Sequence, residues 1–397
     1  MKILIVSAGV LPIPVAKGGA VETLIEYLID ENEKYGLLEL EVVSCLNDEA
    51  VNMSKKYKKT NFYFIKRRKF LTKTLSIINL ITKKMGLNKF NDLENYDYLI
   101  GLKKIVKNNN YDKIIVENRS LYINYLKRKT KDNLYLHLHN DYLNNSNPLA
   151  KEIYDNSTGI LTVSDYIKNC VKSINKNDTK TKTLINCTNV SLFNREKNNI
   201  YRKRLRRKLK INEEDIVYLF SGRLTREKGI KELLLAFEQL EEKNIKLLII
   251  GSGWYGHNKK NKYQQELEEL AVELKEKIIF TGFIARDEVA KYHSVADIAV
   301  VPSMWEEPAA LVVLEAQASG LPLIITNSGG IPELVNEESA IIVNKENDVI
   351  NNLYKAMLFL LKNGEKRVFM GIEGRKNAEK YDRKYYYYNF IRLLKES

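Results

Sequence analysis

The sequence predicts an α/β protein of two domains, each folded around its own parallel sheet. Three observations lead there. Short continuous apolar runs such as Ile3–Val6, Ile216–Phe220 and Ile298–Val301 alternate along the chain with segments of helical periodicity. Unbroken apolar runs, as opposed to every-other-residue patterns, suit strands covered on both faces, as parallel strands are. Several runs end in glycine-bearing loops (Gly222, Gly251-Ser252-Gly253, Gly282), where a ligand can approach the backbone closely. At 397 residues the chain is long enough for two domains, each with a core of its own.

Composition narrows the class. Hydrophobic content of 44% with 29% charged residues is that of a soluble globular protein. Cys45, Cys170 and Cys187 are odd in number and lack metal-type spacing, which fits a reducing cytoplasm. Four histidines leave little material for a zinc site, and no Asp-x-Asp pair occurs, so a metal-independent protein is expected. No apolar stretch reaches the ~18 residues expected of a membrane span. The N-terminal ILIVSAGVLPIPVA is broken by two prolines and a glycine, so it reads as a first strand and a loop, not a signal peptide.

In chain order, Ile3–Val6 is the first strand. Gly18-Gly19 then opens an amphipathic helix to about Glu33, and Leu40–Ser44 is the next strand. A glycine pair before a helix leaves amides free for an anion, although by itself it is only a turn. Lys55–Lys89 holds twelve basic residues and no acid. Without them the chain's 64 basic and 50 acidic side chains fall to 52 against 50, so most of the net +14 is local. Within it Phe70–Leu87 has apolar residues at near-helical spacing between lysines. It is either a membrane-surface helix or a solvated insertion with its stripe on the core. No nucleic-acid motif accompanies it. Tyr98–Lys107 and Tyr122–Arg128 read as helices. Lys113–Val116, Leu134–Leu138, Ile160–Val163 and Thr183–Ile185 read as strands. His137 and His139 share a strand face; a metal pair is conceivable there, but no third ligand lies nearby in sequence.

Arg202–Lys210 reads as a basic, solvated helix. After Ile216–Phe220 comes SGRLTREKG, which puts Arg223 and Lys228 beside a helix N-terminus, a cradle for a diphosphate. Leu247–Ile250 and Ile278–Phe280 are further strands, the latter leading to Phe283. Ile298–Glu333 reads strand, loop, helix, strand, loop, with Pro308 in the first helical turn and Gly320 as the stop. Glu307 opens that helix and Glu315 lies about two turns in. Carboxylates among helix amides suit hydroxyls better than phosphates, although a lone pair of glutamates at this spacing would be only a solvated helix end. Asp348–Lys362 and Gly364–Lys380 are helical. An aromatic, basic stretch Tyr381–Tyr388 precedes a last helical segment, Asn389–Lys395.

The run E-E-P-x3-V-x-L-E-A-x-A-S-G-L-P followed by S-G-G-I-P-E, together with G-R-L-x-x-E-K-G at Gly222–Gly229, resembles the family 4 retaining glycosyltransferases. N-C-T-N-V-S-L-F at Asn186–Phe193 resembles that family's N-G-V-D-x-x-x-F connection. One departure is local: Ala309 and Ala310 stand where the family usually has Phe-Gly. The resemblance implies the GT-B fold, two Rossmann-like domains facing across a cleft, with a C-terminal helix crossing back to the first. The domains would be 1–195 with 381–397, binding the acceptor, and 196–380, binding the donor.

The resemblance also implies roles. Arg223 and Lys228 would neutralise a departing diphosphate, Glu307 would hold donor-sugar hydroxyls, and Glu315 the ribose. His139 would meet the sugar near its reacting carbon. Gly18, Gly19, Gly222 and Gly253 would give the donor close backbone approach. Phe283, Pro308, Ala309, Ala310 and Leu311 would line its site. The implied function is transfer from a nucleotide diphosphate sugar, a UDP-sugar favoured, to a saccharide or lipid-linked saccharide. It would need no metal or cofactor and would serve cell-surface polysaccharide or glycolipid synthesis. The expected location is cytoplasmic, with residues 55–89 meeting an anionic inner membrane face. A nucleotide-sugar epimerase of the same fold and a non-catalytic sugar-nucleotide binder are the rival readings.

Overall fold

The structure is a computed structural model that describes residues 1–67, 95–253, 262–274 and 276–396. The chain divides into two compact units, Met1–Ile185 with Tyr386–Ser397, and Asn186–Tyr385. Each contains one all-parallel sheet with helices between its strands. Strand alternation with helices thus matches the sequence reading in both halves.

The first sheet has the order β3-β2-β1-β4-β5-β6-β7. Its strands are β1 Lys2–Val6, β2 Glu39–Cys45, β3 Thr60–Ile65, β4 Lys113–Glu117, β5 Asn133–Leu138, β6 Gly159–Thr162 and β7 Thr181–Thr183. Ile3, Leu4, Ile5 and Val6 are all fully buried, which explains an unbroken apolar run: each such side chain contributes roughly 1.5–3 kcal/mol on burial. Two expectations need correcting. The strand expected at Thr183–Ile185 is Thr181–Thr183, pairing with Ile160–Thr162. Part of the basic run 55–89 is strand β3, whose Thr60 and Ile65 are buried. The amphipathic helix expected at 70–87 lies outside the described residues.

The C-terminal segment completes this first unit. Arg383–Lys395 is one continuous helix, not an aromatic stretch followed by a short helix. The tyrosine run is helical because its buried members, Tyr386, Tyr387, Phe390, Ile391 and Leu394, fall at helical spacing. The Tyr387 hydroxyl donates to Asn32 Oδ1 at 2.6 Å and accepts from Leu37 N at 3.2 Å.

The second sheet has the order β10-β9-β8-β11-β12-β13. Its strands are β8 Ile216–Ser221, β9 Ile245–Ile250, β10 Ile278–Gly282, β11 Ile298–Val301, β12 Leu323–Thr326 and β13 Ala340–Val343. Tyr218, Phe237, Ile249, Leu353 and Met357 lie in its core, and Tyr218 donates its hydroxyl to the Met357 carbonyl at 2.9 Å. The segment from Asn186 to Asn194 belongs to this unit. Val190 and Phe193 pack on Ala290, Ala318 and Ala378, and the Arg375 guanidinium donates to the Val190 and Phe193 carbonyls at 2.8 and 2.9 Å. The helix Arg195–Lys208 follows it. That helix is less solvated than its composition suggests: Arg195, Arg202 and Arg206 all turn to Asp297, at 2.9, 2.8 and 3.5 Å.

Candidate active site

In the second unit the strand order reverses between β8 and β11. Ligands of open parallel sheets bind outside the strands' carboxyl ends at such a reversal. The loops leaving these two strands hold Gly222–Gly229 and Pro302–Glu307, and they are bound tightly to each other. Gly229 has φ 69°, and a β-carbon there would sit 1.8 Å from the Pro302 carbonyl oxygen, so only glycine fits. Met304 N donates to the Glu227 carbonyl at 2.9 Å.

This close approach brings Lys228 to Glu307. The Lys228 ammonium donates to Glu307 Oε1, and the Ser303 hydroxyl donates to the same oxygen at 2.8 Å. Glu307 is 5% exposed, a burial that a carboxylate tolerates only with partners of this kind. Arg223, half-buried, lies 3.6 Å from Glu227 Oε1. The third loop, after β12, fixes the backbone of Glu307. Gly330 N donates to the Glu307 carbonyl at 2.7 Å. Gly329 has φ 54°, and a β-carbon there would meet that carbonyl at 2.3 Å.

The helix after this loop starts later than expected. It runs Leu311–Ala318, and Ala310 has extended backbone, so Pro308 stands outside the first turn and Glu315 is about one turn in. The Ala309 carbonyl is held by Asn186 Nδ2 at 3.1 Å. Gly320, with φ 68°, ends the helix as expected: Gly320 N donates to Gln317 O and Leu321 N to Ala316 O. Burial pushes the Glu315 carboxyl up to about 7, with the Arg286 charge opposing. Beside these loops Gly222, Gly251 and Gly282 form a stack of main chain at the ends of β8, β9 and β10. Gly222 N donates to Ile250 O at 2.9 Å and Gly251 N to Gly282 O at 3.0 Å. Leu224 N donates to Ser252 O, next to the buried Gly253, while Phe283 is partly exposed.

The first unit holds a second cluster, at the carboxyl ends of β1, β4 and β5. Gly18 and Gly19 have φ 83° and 116° and lead into the helix Ala20–Tyr35. A β-carbon on Gly19 would lie 2.1 Å from Glu22 Oε2, so the glycine is needed to let the Glu22 carboxyl fold back over it. Burial pushes that carboxyl up to about 7; its own amide opposes the shift and the Glu117 charge adds to it. His137 and His139 do face one way, with ring centres 4.2 Å apart. Glu117 meets both. Its Oε2 is 2.9 Å from His139 Nε2 and 3.0 Å from His137 Nδ1. The sequence reading found no third ligand-type group near the histidines; the structure supplies Glu117. The three ligand-type atoms lie within 4.8 Å of one another, a spacing that could hold a metal ion.

Among the expected residues, then, the structure joins Lys228 to Glu307 and sets Arg223, Gly222, Pro308, Ala309 and Ala310 on neighbouring loops of one sheet end. Gly18, Gly19 and His139 belong to the other unit. Ser303, Asn186 and Glu117 were missed. Ser303 is a small polar residue without a distinguishing pattern, Asn186 stands in the N-C-T-N-V-S-L-F connection but was given no role there, and Glu117 follows directly on the strand read at Lys113–Val116.

Residues 201–377 match the family model described as glycosyl transferases group 1. Spore coat protein SA of Bacillus subtilis (strain 168) is 28% identical over 96% of this chain and 95% of its own length. The lipopolysaccharide 1,2-N-acetylglucosaminetransferase of Salmonella typhimurium (strain LT2) is 30% identical over 56% of this chain and 57% of its own. Among solved structures, Anabaena HepE in complex with UDP and glucose superposes with a TM-score of 0.77 at 16% identity, covering 100% of both chains. At that identity the likeness is one of fold, and the fold is GT-B.

Proposed function

From the match of residues 201–377 to the group 1 glycosyl transferases, on a chain with the GT-B fold, we propose a retaining, family 4 type glycosyltransferase. Its donor is a nucleotide diphosphate sugar, a UDP-sugar favoured, and its acceptor a saccharide or lipid-linked saccharide of the cell surface. The observation that carries this reading is the junction of Lys228, Glu307 and Ser303 where the sheet order reverses. A lysine ammonium has three donors. Lys228 can therefore keep Glu307 and still bind a diphosphate oxygen, with Arg223 as a second cation on the same loop. Glu307, held by main chain on one side and Ser303 on the other, presents a fixed acceptor to sugar hydroxyls.

In the reaction the bond from the anomeric carbon to the diphosphate oxygen breaks. The acceptor oxygen bonds that carbon from the same face, and its proton passes to the leaving phosphate. Charge growing on the diphosphate is stabilised by preorganised cations, usually the largest contribution in such sites. Glu315, half in its protonated form near neutral pH, can donate to or accept from ribose hydroxyls. For His139 the reading keeps the role that the sequence resemblance implies, an imidazole for a sugar hydroxyl. HepE, described in complex with UDP and with UDP-glucose, supports the choice of a uracil nucleotide as first probe.

The test incubates purified protein with UDP-sugars and oligosaccharide acceptors and follows nucleotide diphosphate release and the new glycosidic bond. Acceptor-dependent release is expected. A changed sugar without release would point to an epimerase, and donor binding without turnover to a non-catalytic binder. Because Lys228 and Arg223 take the place of a metal in this reading, activity should survive EDTA. Full loss, restored by magnesium or manganese, would overturn that part.

A further inference from the structure

We propose that Glu117 is a positioning residue that holds His139 in the neutral Nε2–H tautomer, so that the ring offers Nδ1 as a hydrogen-bond acceptor to a ligand hydroxyl. The ligand part rests on the glycosyltransferase reading; the tautomer part does not.

The end of β4 is shaped around β5. Asn118 sits in the left-handed region, φ 57°, and ties the two strands together: its amide donates to the His137 carbonyl at 2.8 Å, and its Oδ1 accepts from His139 N at 3.1 Å. This fixes the backbone of both histidines against Glu117. The Glu117 carboxyl is wholly buried, and Oε2 lies 2.9 Å from His139 Nε2. The same oxygen lies 3.0 Å from His137 Nδ1, and a carboxyl is a stronger acid than either imidazole it touches, so the protons between them belong to nitrogen. An ionised carboxylate only accepts. His139 Nε2 must therefore carry the proton.

The His139 side chain is only 7% exposed and its ring centre lies 4.2 Å from that of His137, surroundings that favour an uncharged ring. In a neutral ring with its proton on Nε2, Nδ1 is a bare lone pair. Among the described residues nothing bonds to it. His137 is different: both of its ring nitrogens are buried without a well-aligned hydrogen bond, and Nδ1 lies 3.0 Å from Glu117 Oε2. It packs beside the His139–Glu117 pair and has no free face of its own. The consequence for the ligand is directional. A neutral His139 of this tautomer can receive a hydroxyl's hydrogen but cannot donate one, so the sugar must present a donor at that position.

Imidazole nitrogen-15 spectra read this directly, since the chain has only four histidines. His137→Gln and His139→Gln variants assign the two signals. In the ligand-free wild type at pH 7 His139 should show the Nε2–H pattern. Glu117→Gln keeps an acceptor oxygen and should keep the tautomer. Glu117→Ala should give mixed tautomers, and its turnover should fall on the order of 10- to 100-fold, as with other partners that orient a functional histidine, with donor KM changed less than kcat. A donor analogue with the contacting hydroxyl replaced by fluorine should bind no better to wild type than to Glu117→Ala. An Nδ1–H or protonated His139 in the wild type would overturn the proposal. So would an unchanged tautomer in Glu117→Ala, or joint shifts of both rings on adding equimolar zinc, which would make the cluster a metal site. If Glu117→Ala does not fold, the wild-type and Gln spectra still decide. A correct tautomer in a protein that transfers no sugar would remove the glycosyltransferase reading and leave this one standing.

Discussion

Lys228 and Glu307 depend on each other. Removing the ammonium from Lys228 leaves a buried carboxylate with Ser303 as its remaining side-chain partner, and in the proposed reaction it removes a charge from the leaving-group side. Lys228→Ala should lower turnover by ~10²–10³, the usual cost of losing a preorganised stabilising group. Near-normal kcat at saturating donor would exclude it from the chemistry. Glu315 makes a separate prediction in pH. Its carboxyl stands near 7 when folded and at the ordinary 4.5 otherwise. The folded state therefore holds its proton more tightly, and the stability this gives is fully present below about 4.5 and lost as pH rises through about 7. Glu315→Gln should thus raise Tm relative to wild type by an amount that grows between pH 5 and 8. A constant difference would mean the carboxyl is not buried in this way. The residues of this loop were legible because their spacing is local: R-x4-K and E-E-P are read along one stretch. Glu117 was not, since its partners are reached only by placing β4 beside β5 with Glu117 opposite His137.

At the scale of elements, two glycines with similar φ angles should behave differently. Gly320 at 68° ends a helix, and a β-carbon there meets nothing nearer than Gly371 O at 3.8 Å. Gly320→Ala should cost about 1 kcal/mol from backbone conformation alone and leave donor binding intact. Gly229 at 69° abuts Pro302 O at 1.8 Å. Gly229→Ala must force the two site loops apart, so it should weaken UDP binding as well as stability. Urea unfolding and calorimetry of both variants check this; equal effects would show that the loops are not held by that contact. Element edges were readable where apolar runs are continuous, as in β1 and β11. They were misplaced where tertiary partners decide. Pro308 has the right chemistry for a helix start, yet Ala310 remains extended and the Ala309 carbonyl goes to Asn186. β3 escaped notice because its residues sit inside a lysine-rich run whose charge, not its periodicity, dominates the sequence.

For the molecule as a whole, charge is the unevenly distributed quantity. Among the described residues no helix is long and apolar enough to cross a membrane; for the proposed lipid-linked acceptor, surface attachment is the arrangement to test. The lysines and arginines of 55–89 could supply it at about 1 kcal/mol per engaged residue. Arg67 is already committed, its guanidinium donating to the Gly9 carbonyl at 3.0 Å, so the test replaces Lys66, Arg68 and Lys69 by Gln. The wild type should sediment with anionic but not neutral vesicles, less so as salt rises, and the variant should sediment less while binding UDP normally. Sedimentation equal with neutral vesicles would favour a solvated insertion.

The position of Tyr387 also has a consequence in time. Its hydroxyl closes on Asn32, a residue made well before it, since the 200 residues Asn186–Tyr385 of the other unit come between. At roughly 5–20 residues per second that interval is on the order of 10–40 s. Throughout it the first unit must wait on the ribosome with the surface for Tyr387, Phe390 and Leu394 uncovered. Its last helix arrives only when the second unit has been made, so a chain cut short inside that unit would carry an unfinished first unit for proteases to find.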